Sequence, residues 1–266
     1  MAHCTLSRLR KILLLSALLL FAAPHEIMAE PPSAAVAAFN SYVNAVESRL
    51  ARQHRTPSAF LAPVDLRDGE FAVERLASGS STALPGAMIH HWRGTAFIPG
   101  ASAASFERLL RSFDAYPREF SPQVLQAKVL TDKGDYLQAW MRIRQQHIIT
   151  VTMDAAYDVS FGRLDSGHRY SISRSTKISE IDADGRALTP GQEHGFLWRL
   201  NTYWTYEERD GGLYIQIESV SLTRSIPAGL GWAVGPFVES IPRESLEFTL
   251  RSAAAALRNT ADCGSK

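Results

Sequence analysis

The stretch from Gly195 to Arg258 decides the fold. It reads FLWRLNTYWTYEE over 196–208, RDGG over 209–212 and LYIQIESVSLTRSIP over 213–227. A Gly- and Pro-rich passage follows, then a helical pattern from about Pro242. Phe196, Trp198, Leu200, Thr202, Trp204 and Tyr206 share one parity, and Arg199, Asn201, Tyr203, Thr205 and Glu207 share the other. In an extended chain, side chains alternate between faces, so this pattern predicts a strand with one apolar face and one wet face. Asp210-Gly211-Gly212 between the two runs is a hairpin signal. Leu246, Leu250, Ala253 and Leu257 recur at spacings of four, three and four, which gives the terminal helix one stripe to lay on the apolar face.

Composition constrains the partners. The net charge of +1 on 266 residues gives no electrostatic case for nucleic acid, and no stretch combines clustered Lys/Arg with stacking aromatics. Residues 1–29 read as an export signal: Arg8, Arg10 and Lys11, then an apolar run from Ile12 to Ala23, then a cleavage point after Ala29. Ile27 at minus three departs from the usual small residue, and an uncleaved anchor is the alternative, although the apolar run is short for a bilayer. Cys4 would leave with the signal, so the exported chain would carry Cys263 alone and no internal disulfide. Periplasmic or secreted location is the expectation.

Taken in order, the exported part opens with a helix over 33–52 whose Val36, Phe39, Val43, Val46 and Leu50 form one stripe, with Ser33 as its cap. Arg49, Arg52 and Arg55 suit the negative end of its dipole. Phe60–Leu66 and Glu70–Ala77 around Arg67-Asp68-Gly69 read as a hairpin, and 77–86 as a linker. A long strand through MIHHWRGTAFIPG (88–100) precedes a helix from about Ser102 to Asp114, with Phe106, Leu109, Leu110 and Phe113 on one side. Pro117 and Pro122 break the turn that follows. From Val124 the chain is strand after strand, separated by Asp132-Lys133-Gly134, Asp184-Gly185 and Asp210-Gly211-Gly212, which predicts a sequential antiparallel meander.

The order strand, helix, broken turn, antiparallel strands, long terminal helix resembles the START-like helix-grip superfamily (SRPBCC). The phrase FDAYPREFSP (113–122) resembles the helix-turn of polyketide-cyclase-like and coenzyme-Q-binding START-like members. The ending IPAGL (226–230), VGPF (234–237) and RESL (243–246) is similar to an exported, uncharacterised branch of it. The resemblance spans Trp92 to Leu257 and implies an α+β helix-grip: a curved antiparallel sheet wrapped around a long C-terminal helix. The division expected is a signal over 1–29, a helix-and-hairpin extension over 30–82, a START-like domain over 83–258 and a polar tail over 259–266.

Candidate chemistry is sparse. There is no Gly-x-Ser-x-Gly elbow, and no His-x-His or His-Glu-x-x-His spacing among His54, His90, His91, His147, His168 and His194. Gly229, Gly231 and Gly235 have the wrong spacing for a phosphate loop. His90, His147 and Glu218 are acid–base candidates whose bland reading is an internally satisfied strand residue; for Arg142, Arg144 and Arg199 the bland reading is a cross-strand pair with Glu207 or Glu218. The aromatic stripe is the best site candidate: Trp92, Trp198, Leu200, Trp204 and Tyr206 on the sheet, with Leu246 and Leu250 on the helix. It reads equally as an ordinary core. The resemblance adds a hydrophobic pocket between sheet and helix, hence an apolar small molecule or lipid as partner, with no cofactor, no metal and no catalytic residue assigned. A monomer is expected, and transient membrane contact is compatible with such a partner. A cyclase/aromatase-like enzyme and an unliganded envelope module are the alternatives. N-terminal sequencing of the exported protein should begin near Glu30; an intact Met1 would overturn the cleavage reading.

Overall fold

The computed structural model describes residues 30–64, 66, 70–77, 83–146, 150–189, 192–225 and 231–264, with 231–239 and 260–264 by backbone course alone. Three helices and one helical turn surround a single sheet: α1 (Ser33–Gln53), α2 (Ala103–Arg111), the turn α3 (Tyr116–Glu119) and α4 (Gly231–Gly264). The strands are β1 (Phe71–Arg75), β2 (Ala83–Leu84), β3 (Ala87–Pro99), β4 (Val124–Asp132), β5 (Tyr136–Gln146), β6 (Thr150–Arg163), β7 (His168–Glu180), β8 (Arg199–Arg209) and β9 (Gly212–Arg224). Their order is β1-β3-β9-β8-β7-β6-β5-β4, all antiparallel, with β2 beside β3. The meander is the expected one, and β3 returns to pair with the last strand. The curved sheet and terminal helix make the α+β helix-grip.

Local chemistry explains the joints. The β8–β9 turn places Asp210 at φ 56° and Gly211 at φ 74°, the left-handed pair that matches the twist of a two-residue hairpin. Ser102 caps α2 by accepting from Ser105 N, and Ser105 Oγ accepts from Ser102 N in return. Tyr116 Oη donates to Leu110 O at 2.9 Å and ties the broken turn back to α2. Glu180, buried, accepts from the backbone N–H groups of His194, Gly195 and Phe196, which fixes the chain before β8.

The principal core lies on one face of the sheet. Phe106, Leu110 and Phe113 meet Leu137, Tyr157, Trp204, Tyr206, Ile215 and Ile217 there, beneath Leu246, Leu250, Ala253 and Leu257 of α4. The predicted helix stripe is therefore buried throughout. Gly94 lets α4 approach: a Cβ on it would stand 3.3 Å from both Leu246 and Leu250. The helix begins at Gly231, about three turns before Pro242. Each proline in it removes one ladder donor, and the turns on either side carry the helix through.

Helix α1 corrects the expectation of a wet face. Its Ala35, Phe39, Val43, Val46 and Leu50 pack on Ile89, Trp198, Tyr203, Val220 and Leu222, on the opposite face of the sheet from α4. Asn201, Tyr203, Thr205 and Glu207 are buried as a result. Polarity there marks partners of a helix, not solvent. Arg174 grips Glu47 with two bonds of 2.7 Å, and Tyr203 Oη donates to the same carboxylate. Arg49 pairs with Glu218 instead of serving the helix dipole. Ser33 is the first helical residue, not the cap; Pro32 precedes it and no side chain caps the end. Among the described residues no strand precedes β1 to make the expected hairpin over 60–77. β1 pairs instead with β3, while Phe60 and Leu61 are buried beside α1's end, where Gln53 Nε2 donates to Phe60 O; residues 67–69 lie outside the described residues.

Beneath α1 sits a buried charge cluster. Glu218 accepts from Arg93 Nε and Nη2 at 3.1 and 2.9 Å, from His91 Nε2 at 2.9 Å, and from Arg49. The Tyr42 hydroxyl meets His91 Nδ1 at 2.9 Å. Burial alone would raise the carboxyl, but the His91 hydrogen bond and the Arg49 and Arg93 charges override it and hold its pKa down to about 2. His54 ends α1 stacked on Tyr170, centroids 4.2 Å apart, with its Nε2 2.9 Å from Thr205 Oγ1. Burial, reinforced by the Arg49 charge against the opposing pull of Glu218, lowers its pKa to about 4.

The sign follows from linkage. The unfolded state takes up a proton on His54 near pH 6.5, while the folded state resists until about pH 4. Its contribution is whole above pH 6.5 and lost as pH falls toward 4; Glu218 adds a further loss between pH 4.5 and 2. Urea unfolding at pH 7.5 and pH 5 should differ by about 2 kcal/mol from His54. His54→Gln should flatten that interval, and an undiminished drop in the variant would assign it elsewhere.

Candidate functional site

Directly opposed residues of an antiparallel ladder share a face. Tyr157, Val159 and Phe161 of β6 belong to the principal core, and they oppose Ser175, Ser173 and Ser171 of β7. Ser171 opposes Trp204 and Ser173 opposes Thr202. Across β8 and β9, Trp204 opposes Ile217, Thr202 opposes Ser219 and Leu200 opposes Ser221. Those three β9 residues oppose Gly94, Trp92 and His90 of β3. The inner face is thus ordered in rows that run across the strands. One row is Phe161–Ser171–Trp204–Ile217–Gly94. The next is Val159–Ser173–Thr202–Ser219–Trp92. A third carries Tyr157, Ser175, Leu200, Ser221 and His90, with Leu200 N donating to Ser175 Oγ at 2.9 Å.

Burial changes from row to row. In the first, Trp204 and Ile217 are closed off, and Gly94 lies against Leu246 and Leu250. Phe106 stands edge-on to Trp204 and Tyr206, with centroids at 5.1 and 4.9 Å. This end is solid. In the second row Val159 is buried while Ser173, Thr202, Ser219 and Trp92 are half-buried; in the third Ser175 and Leu200 are half-buried while Tyr157, Ser221 and His90 are buried. Met141 and Ile178, packed on the core edge, are half-buried as well. Arg75 lies 5.9 Å from the Trp92 ring centre and forms part of the rim. These half-buried side chains mark a partly covered strip in the middle of the inner face, the trough, with hydroxyls along it and apolar side chains on its flanks.

The structure divides the seven residues expected at the site. Trp204, Tyr206, Leu246 and Leu250 are in the solid end, with Tyr206 fully buried. Trp92 and Leu200 are on the trough. Trp198 is on the opposite face, packed with α1. Parity fails at Trp198 because β8 begins only at Arg199; Gly195, at φ 75°, turns the chain just before it, and the Trp198 ring lies where a Cβ on that glycine would be, 2.9 Å away. Sequence reasoning missed the hydroxyl track, although its signal was present. SISRS (171–175) and SVSLT (219–223) each alternate Ser/Thr with larger residues at a period of two.

The acid–base candidates have structural partners. His90, buried, bonds Thr223 through Nε2 at 3.1 Å, and Glu218 serves the cluster under α1. His147 lies outside the described residues. Arg142 pairs across the ladder with Asp154, at 2.7 and 2.9 Å, rather than with Glu207 or Glu218, and Arg199 donates to Trp198 O. Burial pushes the Tyr157 and Tyr206 hydroxyls upward, so both stay protonated. Among the described residues, no group of His, Cys, Asp and Glu could hold a metal. An open groove of about 380 Å³ lies on the outer face among Arg142, Arg144, Thr152 and Asp182, and Arg142 is already committed there to Asp154 and Gly185 O.

No family model matches the chain, and no curated protein matches it. Solved structures do. One is a STAR-related lipid transfer protein fragment from Xanthomonas axonopodis: 17% identity, 70% of this chain and 98% of that chain covered, TM-score 0.46. Another is a START superfamily protein from Mycobacterium smegmatis: 12% identity, 64% and 98% covered, TM-score 0.43. A third is the Zhui aromatase/cyclase from Streptomyces sp. R1128: 13% identity, 64% and 94% covered, TM-score 0.44. The first two of these are STAR- or START-type proteins by name, and all three are at low sequence identity.

Proposed function

We propose that this chain is an exported protein that binds a hydrophobic small molecule, of the lipid, isoprenoid or quinone class, in the trough between the sheet and α4. The observation that carries the reading is the half-buried state of Trp92, Leu200, Met141 and Ile178 on a face whose other end is solid. Apolar surface held in such a recess favours an apolar guest by about 25 cal/mol for each Å² removed from water. A few polar groups among apolar walls are the usual form of a small-molecule site. Export rests on the basic and apolar segments before Ala29. Among the described residues no helix is long and apolar enough to cross a membrane. The protein would act as a monomer, meeting a membrane only to load or release its guest.

The test pairs two variants. After organic extraction, the wild-type protein should bind N-phenyl-1-naphthylamine saturably. Leu200→Trp, which fills the trough, should abolish that binding with little change in melting temperature. Trp204→Ala, in the solid end, should cost about 3–5 kcal/mol of stability. An absence of saturable binding in wild type would overturn the proposal and leave the reading of an unliganded structural module.

A further inference from the structure

The polar floor of the trough says more about its guest than the apolar flanks do. Ser173, Thr202 and Ser219 stand side by side on β7, β8 and β9, in register. Adjacent strands lie about 4.8 Å apart, so the three hydroxyls form a track roughly 10 Å long across the sheet. None of the three has a side-chain hydrogen bond to any described residue. Two donors flank the track. The Trp92 Nε1–H closes its row at β3, and the atom is buried with no hydrogen-bond partner among the described residues. Tyr157 lies one row along, opposite Ser175, and its residue is 3% exposed with the hydroxyl likewise unpartnered among the described residues. A plain hydrocarbon guest would cover the three half-buried hydroxyls without bonding them, and that desolvation is costly.

We infer that the guest is an apolar skeleton carrying two or more hydroxyl or carbonyl oxygens along one edge, seated with that edge on Ser173, Thr202 and Ser219, and not an unsubstituted hydrocarbon chain or ring. The inference rests on the binding reading above and sharpens it. The flanks, Leu200, Met141 and Ile178, take the skeleton; the track takes its oxygens. Hydroxyls both donate and accept, so alcohols and ketones are accommodated alike. Discrimination of this kind is strong because the wrong guest leaves polar groups of the site unpaired.

The experiment uses two probes on one carbon frame, 2,6-dihydroxyanthraquinone and 2,6-dimethylanthracene, titrated by quenching of tryptophan fluorescence. Each is measured on the extracted full chain and on Ser173→Ala/Thr202→Val/Ser219→Ala. Removal of the track should weaken the oxygenated probe about tenfold, two lost hydrogen bonds' worth, and leave the hydrocarbon unchanged or tighter. Comparing each probe with itself removes the difference in their water solubility. Where the triple variant melts early, Thr202→Val alone, a change of equal shape, should still weaken the oxygenated probe selectively. Equal changes for both probes, or none for either, would overturn the inference and leave the binding reading standing. Failure of both probes to bind wild type would overturn both.

Discussion

Strand β9 is covered by α1 on one face and, as far as Ile217, by α4 on the other, and the rest of the molecule answers to that. Its odd residues from Leu213 to Ile217 face α4, and its even residues Val220 and Leu222 face α1. On the α1 face a polar side chain of this strand has no water to turn to, so it needs a built partner. Gln216 finds Thr95 Oγ1 and the Ala62 N–H; Glu218 finds Arg93, His91 and Arg49. The Glu218 cluster sets register more than it adds net stability, because desolvation consumes most of what a buried pair gains. It fixes where α1 sits: Arg49 of the helix reaches Glu218 and Tyr42 reaches His91, two sheet residues bonded to each other.

The inner face obeys a different constraint. Helix α4 comes closest where the sheet has no side chain, at Gly94, and from there toward Trp204 and Tyr206 everything interdigitates. Two residues back along β3, at Trp92, the sheet offers small hydroxylated side chains to its inner side, and these cannot fill the space that larger ones fill next door. A sheet of uniformly large residues would make one solid core. The alternation of Trp and Ile rows with Ser and Thr rows leaves a trough, and it sets the trough's chemistry along with its shape.

The relation of sequence to site runs through particular residues. Leu246, Leu250, Ala253 and Leu257 were legible as a stripe because helical spacing is local, and the hairpin at Asp210-Gly211 because its backbone demands are local. The aromatic parity in β8 identified the inner face correctly for Leu200, Trp204 and Tyr206. It failed for Trp198, one residue outside the strand, where a turn dictates direction instead of the pleat. The opposite parity was legible as polar but not as buried: Asn201, Thr205 and Glu207 are covered by a helix about 150 residues earlier in the chain.

The sequence by itself determined the element order from β3 onward, the antiparallel meander, the terminal helix and its stripe, and the basic-then-apolar character of the first 29 residues. Each is written in spacing over a few turns or a few strand residues. Only the tertiary structure decided which aromatics are core and which are wall, that α1 covers the second face, and that serines from β7 and β9 meet Thr202 of β8 in one row. Those outcomes depend on which strands become neighbours and in what register, and cross-strand register joins residues that no local period connects.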